Sequence, residues 1–186
     1  MRVAVFASGR GTNFENLLKN MVPSMEVVLL VTDKVCRALE IAARYSVEAR
    51  TFLKQQYGSK EEMERAIAKV LDEHHIELIV LAGYMRLFSP WFVARYPKRI
   101  INIHPSLLPH YKGMHAIEQA LADGRGIFGV TVHYVNEGMD EGEIIEQVRL
   151  QYQGHDLNEL EALVHEAEYV LYPRVVRQLC EKRRQV

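Results

Sequence analysis

Apolar residues along this chain follow two alternating rhythms. Short apolar runs over Val3–Ala7, Val27–Thr32, Ala49–Leu53, Leu78–Ala82 and Ile100–Ile103 have the length and β-branched content of buried strands. Between them, apolar residues recur every three or four positions and predict helices over Asn13–Met21, Arg37–Tyr45, Lys60–His74 and Pro90–Tyr96. Such alternation marks an α/β fold with a largely parallel sheet. Helix starts are signposted too. Ser59 with Glu62 and Asp156 with Glu159 read as capping boxes, and Ser89-Pro90 as an N-cap followed by proline at N1.

After Ile103 the rhythm changes. A proline-punctuated loop from Pro105 to Gly113 precedes a helix over Ala116–Ala122. Two strand patterns follow, Gly129–Val135 and Ile144–Gln151, joined by the short link Asn136–Glu143, which suits an antiparallel pair. A long helix from Leu157 closes the chain, with a bend expected near Pro173, where a backbone donor is missing. The expectation is a Rossmann-like, mainly parallel mixed sheet with helices on both faces, forming one domain over residues 1–186.

Composition narrows the class. With 48% hydrophobic residues the chain can build a proper core, and a net charge of −1 gives no general pull toward nucleic acid or anionic lipid. Its one basic cluster, Lys182-Arg183-Arg184, reads as a helix end whose cations suit the dipole. Cys36 and Cys180 have neither disulfide-framework nor metal-ligand spacing. A strand pattern so near the start leaves no room for a signal peptide, and no apolar run reaches roughly 18 residues. A cytoplasmic protein without membrane contact is expected. Oligomeric state cannot be read from the sequence.

The first strand runs into Ser8-Gly9-Arg10-Gly11-Thr12-Asn13, which opens a helix. Glycines admit close backbone approach, and a helix N-terminus offers free N–H groups and a positive dipole end, so a phosphate is the natural guest. Gly9-x-Gly11, with Asp33 ending the second strand, partly imitates a dinucleotide fingerprint. Phe14 stands where the third glycine belongs, however, and the polar Thr12-Asn13 pair suits a single phosphate better than a pyrophosphate.

The densest chemistry lies in Asn102-Ile103-His104-Pro105-Ser106. Two residues apart at a strand end, Asn102 and His104 point to one face, at the edge where ligands sit in parallel sheets. An amide N–H and a protonated imidazole can both donate to an oxygen that turns negative when its carbonyl is attacked. A nearby carboxylate would favour the charged imidazole, and Asp140 is the candidate, on a loop that Gly138 and Gly142 are expected to keep adaptable. There is no Gly-x-Ser-x-Gly elbow, and the spacing of His104, His110, His115 and His133 matches no common metal site. Direct transfer to an incoming nucleophile fits better than a covalent intermediate.

These segments, together with Leu81-Ala82-Gly83-Tyr84-Met85-Arg86, Gly129-x-Thr131-Val132-His133 and Met139-Asp140-x-Gly142, resemble the folate-dependent formyltransferases across essentially the whole chain. The Asn-x-His-Pro segment marks the superfamily; the Ser-Gly-x-Gly-Thr-Asn loop is more specific to its glycinamide ribonucleotide branch. The resemblance implies a formyltransferase fold and transfer of formyl from the co-substrate 10-formyltetrahydrofolate to the amine of 5-phosphoribosylglycinamide, in purine synthesis and without metal. It implies Asn102, His104 and Asp140 as the catalytic trio, and Gly11, Thr12, Asn13 and Glu168 as ribonucleotide contacts. Met85, Arg86, Leu87, Phe88 and Asn102 then line the folate pocket, with Lys60 and Arg86 placed to meet folate carboxylates. Lys112 and Glu143 depart from the family pattern, which often has proline at both places.

Rival readings remain at this stage. A methionyl-tRNA formyltransferase would need an added C-terminal domain and a basic surface, and a formyltetrahydrofolate hydrolase an N-terminal regulatory domain. An NAD-dependent oxidoreductase would retain a dinucleotide. A non-catalytic sensor would bind a phosphate ligand without turnover.

Overall fold

In the computed structural model, which describes residues 1–182, a seven-stranded sheet runs through the molecule in the order β3-β2-β1-β4-β5-β6-β7. Its strands are β1 (Arg2–Ala7), β2 (Glu26–Thr32), β3 (Glu48–Thr51), β4 (Leu78–Leu81), β5 (Ile100–His104), β6 (Phe128–Tyr134) and β7 (Ile144–Leu150). Strands β1 to β5 pair in parallel, while β6 and β7 pair antiparallel, as the short link between them predicts. The α-helices are α1 (Thr12–Lys19), α2 (Ala38–Arg44), α3 (Lys60–Glu73), α4 (Pro90–Arg95), α5 (Ala116–Asp123) and α6 (Leu157–Lys182). Several expected edges move by one or two residues: the third strand ends at Thr51 rather than Leu53, the first helix runs over Thr12–Lys19 rather than Asn13–Met21, and the sixth strand over Phe128–Tyr134 rather than Gly129–Val135. Of the C-terminal basic cluster, Arg183 and Arg184 lie outside the described residues.

Both faces of the sheet are covered over its centre, which is why β1, β2, β4 and β5 are largely apolar rather than alternating, while the edge strands β3 and β7 carry exposed polar residues. On β1, Val3, Val5 and Ala7 face a core shared with α1, α2, α5 and α6; Ala4 and Phe6 face a second core under α3 and α4. The sheet order reverses between β1 and β4, and the loops leaving these two strands diverge there, opening the crevice in which such sheets bind ligands. Two bonds tie the loops together: Ser8 N–H donates to the Gly83 carbonyl at 3.1 Å, and Met85 N–H to Ser8 Oγ at 2.9 Å.

Caps form largely as the sequence predicts. Ser59 Oγ accepts from Glu62 N–H at 3.0 Å, while the Glu62 carboxylate turns back to Gly58 N–H at 2.8 Å. Ser89 Oγ accepts from Phe92 N–H at 3.3 Å. Asp156 accepts from the N–H groups of Asn158 and Glu159, but the Glu159 carboxylate takes the Tyr152 hydroxyl instead of closing the box.

Helix α6 is continuous through Pro173. Proline cannot donate to the Tyr169 carbonyl four residues back; the Asn16 side-chain amide of α1 does so instead, at 2.8 Å. One turn later the fully buried Tyr172 hydroxyl reaches the carbonyls of Leu81 at 2.7 Å, at the C-terminal end of β4, and of Ile101 at 3.3 Å, on the neighbouring β5. Removing that hydroxyl takes a donor from buried carbonyls, at a cost of about 1–3 kcal/mol. The proline and the tyrosine thus dock α6 against the site edge of the sheet.

Candidate active site

The glycine loop delivers α1 to the mouth of the crevice. Gly11 caps the helix at φ 72°, and a Cβ there would lie 2.9 Å from both Cα and Cβ of Ala38. Its glycine therefore serves a left-handed backbone and a close approach to α2, and not only the approach of an anion. At Gly9, by contrast, a Cβ would meet nothing within 4 Å. Behind the loop, Asn13 Nδ2 donates to Glu168 Oε2 at 3.1 Å, and His165 Nδ1 meets the same oxygen at 3.0 Å. Asn13 Oδ1 is buried with no partner of its own. Glu168, 155 residues away from Asn13, is thus gathered with Gly11, Thr12 and Asn13 around the first turn of α1.

At the end of β5, the strand register brings the second group together. Asn102 lies opposite His133 on β6, and His104 opposite Thr131. Asn102 Nδ2 stands 3.4 Å from His133 Nε2. His104, 5% exposed, meets the Tyr111 carbonyl through Nε2 at 2.8 Å and Asp140 Oδ2 through Nδ1 at 3.4 Å. Both ring nitrogens face acceptors, so a ring carrying both protons satisfies both contacts. His133 Nε2 also faces Asp140 Oδ1 at 3.5 Å, while its Nδ1 meets the Tyr134 carbonyl. Asp140 therefore sits between two imidazoles and additionally accepts from Gly113 N–H at 2.9 Å. Burial would raise its pKa, but the bonds from His133 and Gly113 and the charges of His104 and His133 prevail and hold it below the ordinary aspartate value.

The loop carrying Asp140 is clamped rather than adaptable. A Cβ on Gly142 would fall 1.6 Å from the Tyr134 carbonyl oxygen, so that glycine exists for close packing against β6. Asp140 itself adopts φ 53°, a left-handed conformation that Asp tolerates better than most residues. Lys112 pairs with Glu141 at 2.9 Å and Glu143 with Lys98 at 2.7 Å, so the two residues where the family often has proline tie this loop to its neighbours. Beneath the trio, Thr131 Oγ1 donates to the Ser106 carbonyl at 2.7 Å and accepts from Leu108 N–H at 3.1 Å, fixing the loop after His104.

Met85, Arg86, Leu87 and Phe88 leave the sheet from β4, whose Leu81 neighbours Asn102. With Lys60 and Glu64 of α3 they line a cleft of about 340 Å³. Met85 and Leu87 are 72% and 59% exposed, an apolar lining turned to solvent, while Phe88 stacks on Phe92. Arg86 is already committed: its Nε donates to Asp33 Oδ2 at 2.8 Å. The acidic residue that a dinucleotide site would offer to a ribose is thus held by an arginine. Lys60 lies 4.0 Å from Glu64, whose two carboxylate oxygens are bound by the N–H and hydroxyl of Ser89.

In the sequence His133 belongs to a family motif that carries no assigned role, and His165 belongs to none. His133 alternates with Thr131 on a strand next to the Asn-x-His strand, a pattern that could have flagged it; His165 precedes Glu168 by one helical turn. Among the described residues, no group of three or more His, Cys, Asp or Glu side chains is arranged to hold a metal ion. No helix there is long and apolar enough to cross a membrane.

Comparison with known proteins adds a family. The profile described as Formyl transferase matches residues 1–176. Phosphoribosylglycinamide formyltransferase of Bacillus subtilis (strain 168) is 43% identical over 183 residues, spanning 96% of this chain and 94% of its own. The crystal structure of glycinamide ribonucleotide transformylase 1 from Geobacillus kaustophilus is similar with TM-score 0.92 and 44% identity, over 96% of this chain and 98% of that one. Phosphoribosylglycinamide formyltransferase from Coxiella burnetii, solved in complex with CHES, gives TM-score 0.94 at 33% identity, over 98% and 88%.

Proposed function

The chain belongs to the formyl transferase family, and from that premise we propose that Asn102, His104 and Asp140 perform the chemistry of its reaction within a single domain. The activity is that of a phosphoribosylglycinamide formyltransferase, which moves a formyl group from 10-formyltetrahydrofolate to the amine of 5-phosphoribosylglycinamide in purine biosynthesis. The single observation that carries the residue assignment is the convergence of Asn102, His104, His133 and Asp140 where β5 meets the crevice.

The substrate amine attacks the formyl carbon, and the carbonyl electrons move onto its oxygen. The Asn102 amide N–H and the His104 Nδ1–H are the donors for that oxyanion; the contact of His104 with Asp140 is long, at 3.4 Å, so the N–H can be shared with an oxygen placed beside it. Collapse of the tetrahedral species breaks the bond to the folate nitrogen. That nitrogen gains a proton and the amine loses one, so the net transfer is one proton, relayed by His104 and water beside the Asp140 carboxylate. Asp140, flanked by two imidazoles, stays ionised and can stabilise His104 in its charged form. The loop at Gly11, Thr12 and Asn13 takes the ribonucleotide phosphate, and Glu168 accepts from its hydroxyls. Met85 to Phe88 hold the folate, whose carboxylates meet Lys60 and Arg86.

The test is formation of folate product with and without the ribonucleotide. The reading expects product only when both substrates are present. Equal product without the ribonucleotide would make the protein a hydrolase, and none with both would remove the assignment.

A further inference from the structure

Glu168 poses an electrostatic problem that the functional reading alone does not solve. Its carboxylate is 6% exposed and stands beside the first turn of α1, the place where a phosphate dianion would bind. Two anions held that close repel each other strongly unless a cation lies between or behind them. Asn13 supplies a hydrogen bond but no charge. The one ring nitrogen on the same Glu168 oxygen is His165 Nδ1, at 3.0 Å.

Resting on the ribonucleotide assignment of the α1 loop, we propose that the phosphate group binds to the form of the protein in which His165 is an imidazolium paired with Glu168. The geometry allows it. His165 sits one turn before Glu168 on α6, its side chain is 35% exposed, and its ring stacks at 19° on Tyr169. The ring therefore stands at the surface of the site rather than in the core, where a ligand can reach it.

The charged groups around the ring are accounted for. On α6 these are Glu168 and Glu161; from the loop before α1 comes Arg10. The bond to Glu168 raises the His165 pKa, burial opposes this, the Glu168 charge adds to it, and Arg10 and Glu161 act in opposite senses. Because the folded value is raised, the imidazolium prevails below the ordinary histidine value near 6.5 and is lost only as pH rises through the raised one. A neutral ring removes the cation that is hydrogen-bonded to Glu168, so phosphate affinity falls on that alkaline side. Where protonation is obligatory, the loss approaches about tenfold per pH unit.

The experiment measures ribose 5-phosphate binding by calorimetry from about pH 6 to about pH 8.5 in the wild type, H165K and H165Q, a window that spans the histidine titration. Phosphate ionisation is common to all three and cancels in the ratio of dissociation constants. The inference expects the wild-type-to-H165K ratio to rise at least about fivefold across that window as the imidazolium is lost. It also expects H165Q to bind weakly throughout, and a folate analogue to bind all three alike. A flat ratio with intact binding, or H165Q binding like wild type at the acid end, overturns the inference and leaves the functional reading standing. Absence of ribose 5-phosphate binding to every protein at every pH overturns both.

Discussion

Asp140 reaches both His104 and His133, one through each carboxylate oxygen, at 3.4 and 3.5 Å. A residue between two rings positions both, so its loss and that of His104 should overlap in effect. We predict that His104→Ala and Asp140→Asn each lower kcat by about 10²–10⁴-fold, the range for a lost general acid or base. The double variant should fall far short of the product of the two. Asn tolerates the left-handed backbone at position 140, so the fold should survive, as circular dichroism would verify. Near-normal kcat in either single variant, or fully multiplicative losses, would remove the proposed unit.

The glycine loop separates folding from binding. Gly11→Val should destabilise the protein by at least about 2 kcal/mol, because the new side chain meets Ala38 and an unfavourable φ together. It should then weaken both ligands. Asn13→Ala keeps the backbone and should weaken the ribonucleotide by about tenfold, a lost hydrogen bond, while sparing a folate analogue. Calorimetry on the two variants checks this; equal loss of both ligands in Asn13→Ala would contradict it.

The Asp33–Arg86 pair yields a stability prediction. Arg86→Ala strands a carboxylate that is 8% exposed and already has one oxygen without a partner. The expected cost is about 1–3 kcal/mol in urea unfolding, partly restored by Asp33→Asn in the same chain. No rescue in the double variant would show that Arg86 acts through packing alone.

Acid should weaken the protein partly through Asp140. Its folded pKa is depressed, so its contribution is present above the unfolded value near 3.8 and is lost as pH falls through the lower folded one. The stability difference between wild type and Asp140→Asn should therefore shrink on acidification below that value. A difference that stays constant down to about pH 2 would contradict the charged Asp140.

The fold was legible because both rhythms are strong: β1, β2, β4 and β5 are apolar on both faces, and the β6–β7 link is too short for anything but an antiparallel pair. The chemistry of β5 was legible because two polar residues end an apolar strand. What the sequence hid is tertiary. Gly11 reads as room for an anion and Gly142 as freedom, yet their missing side chains make room for Ala38 and for the Tyr134 carbonyl. Arg86 reads as a free cation, yet Asp33 holds it. His133 reaches the site only through its register with Asn102, and His165 only through the docking of α6 on α1, neither of which is a local property of the chain.

The central claim is direct transfer from folate to ribonucleotide at the Asn102–His104–Asp140 site. A single-turnover experiment with formyl-labelled folate, quenched at successive times, follows the label itself. The account predicts that label leaves the folate and appears on the ribonucleotide at one rate, with none attached to the protein, and that His104→Ala slows both changes together. Label accumulating on the protein before reaching the ribonucleotide, or released as formate at the same rate without it, would contradict the account.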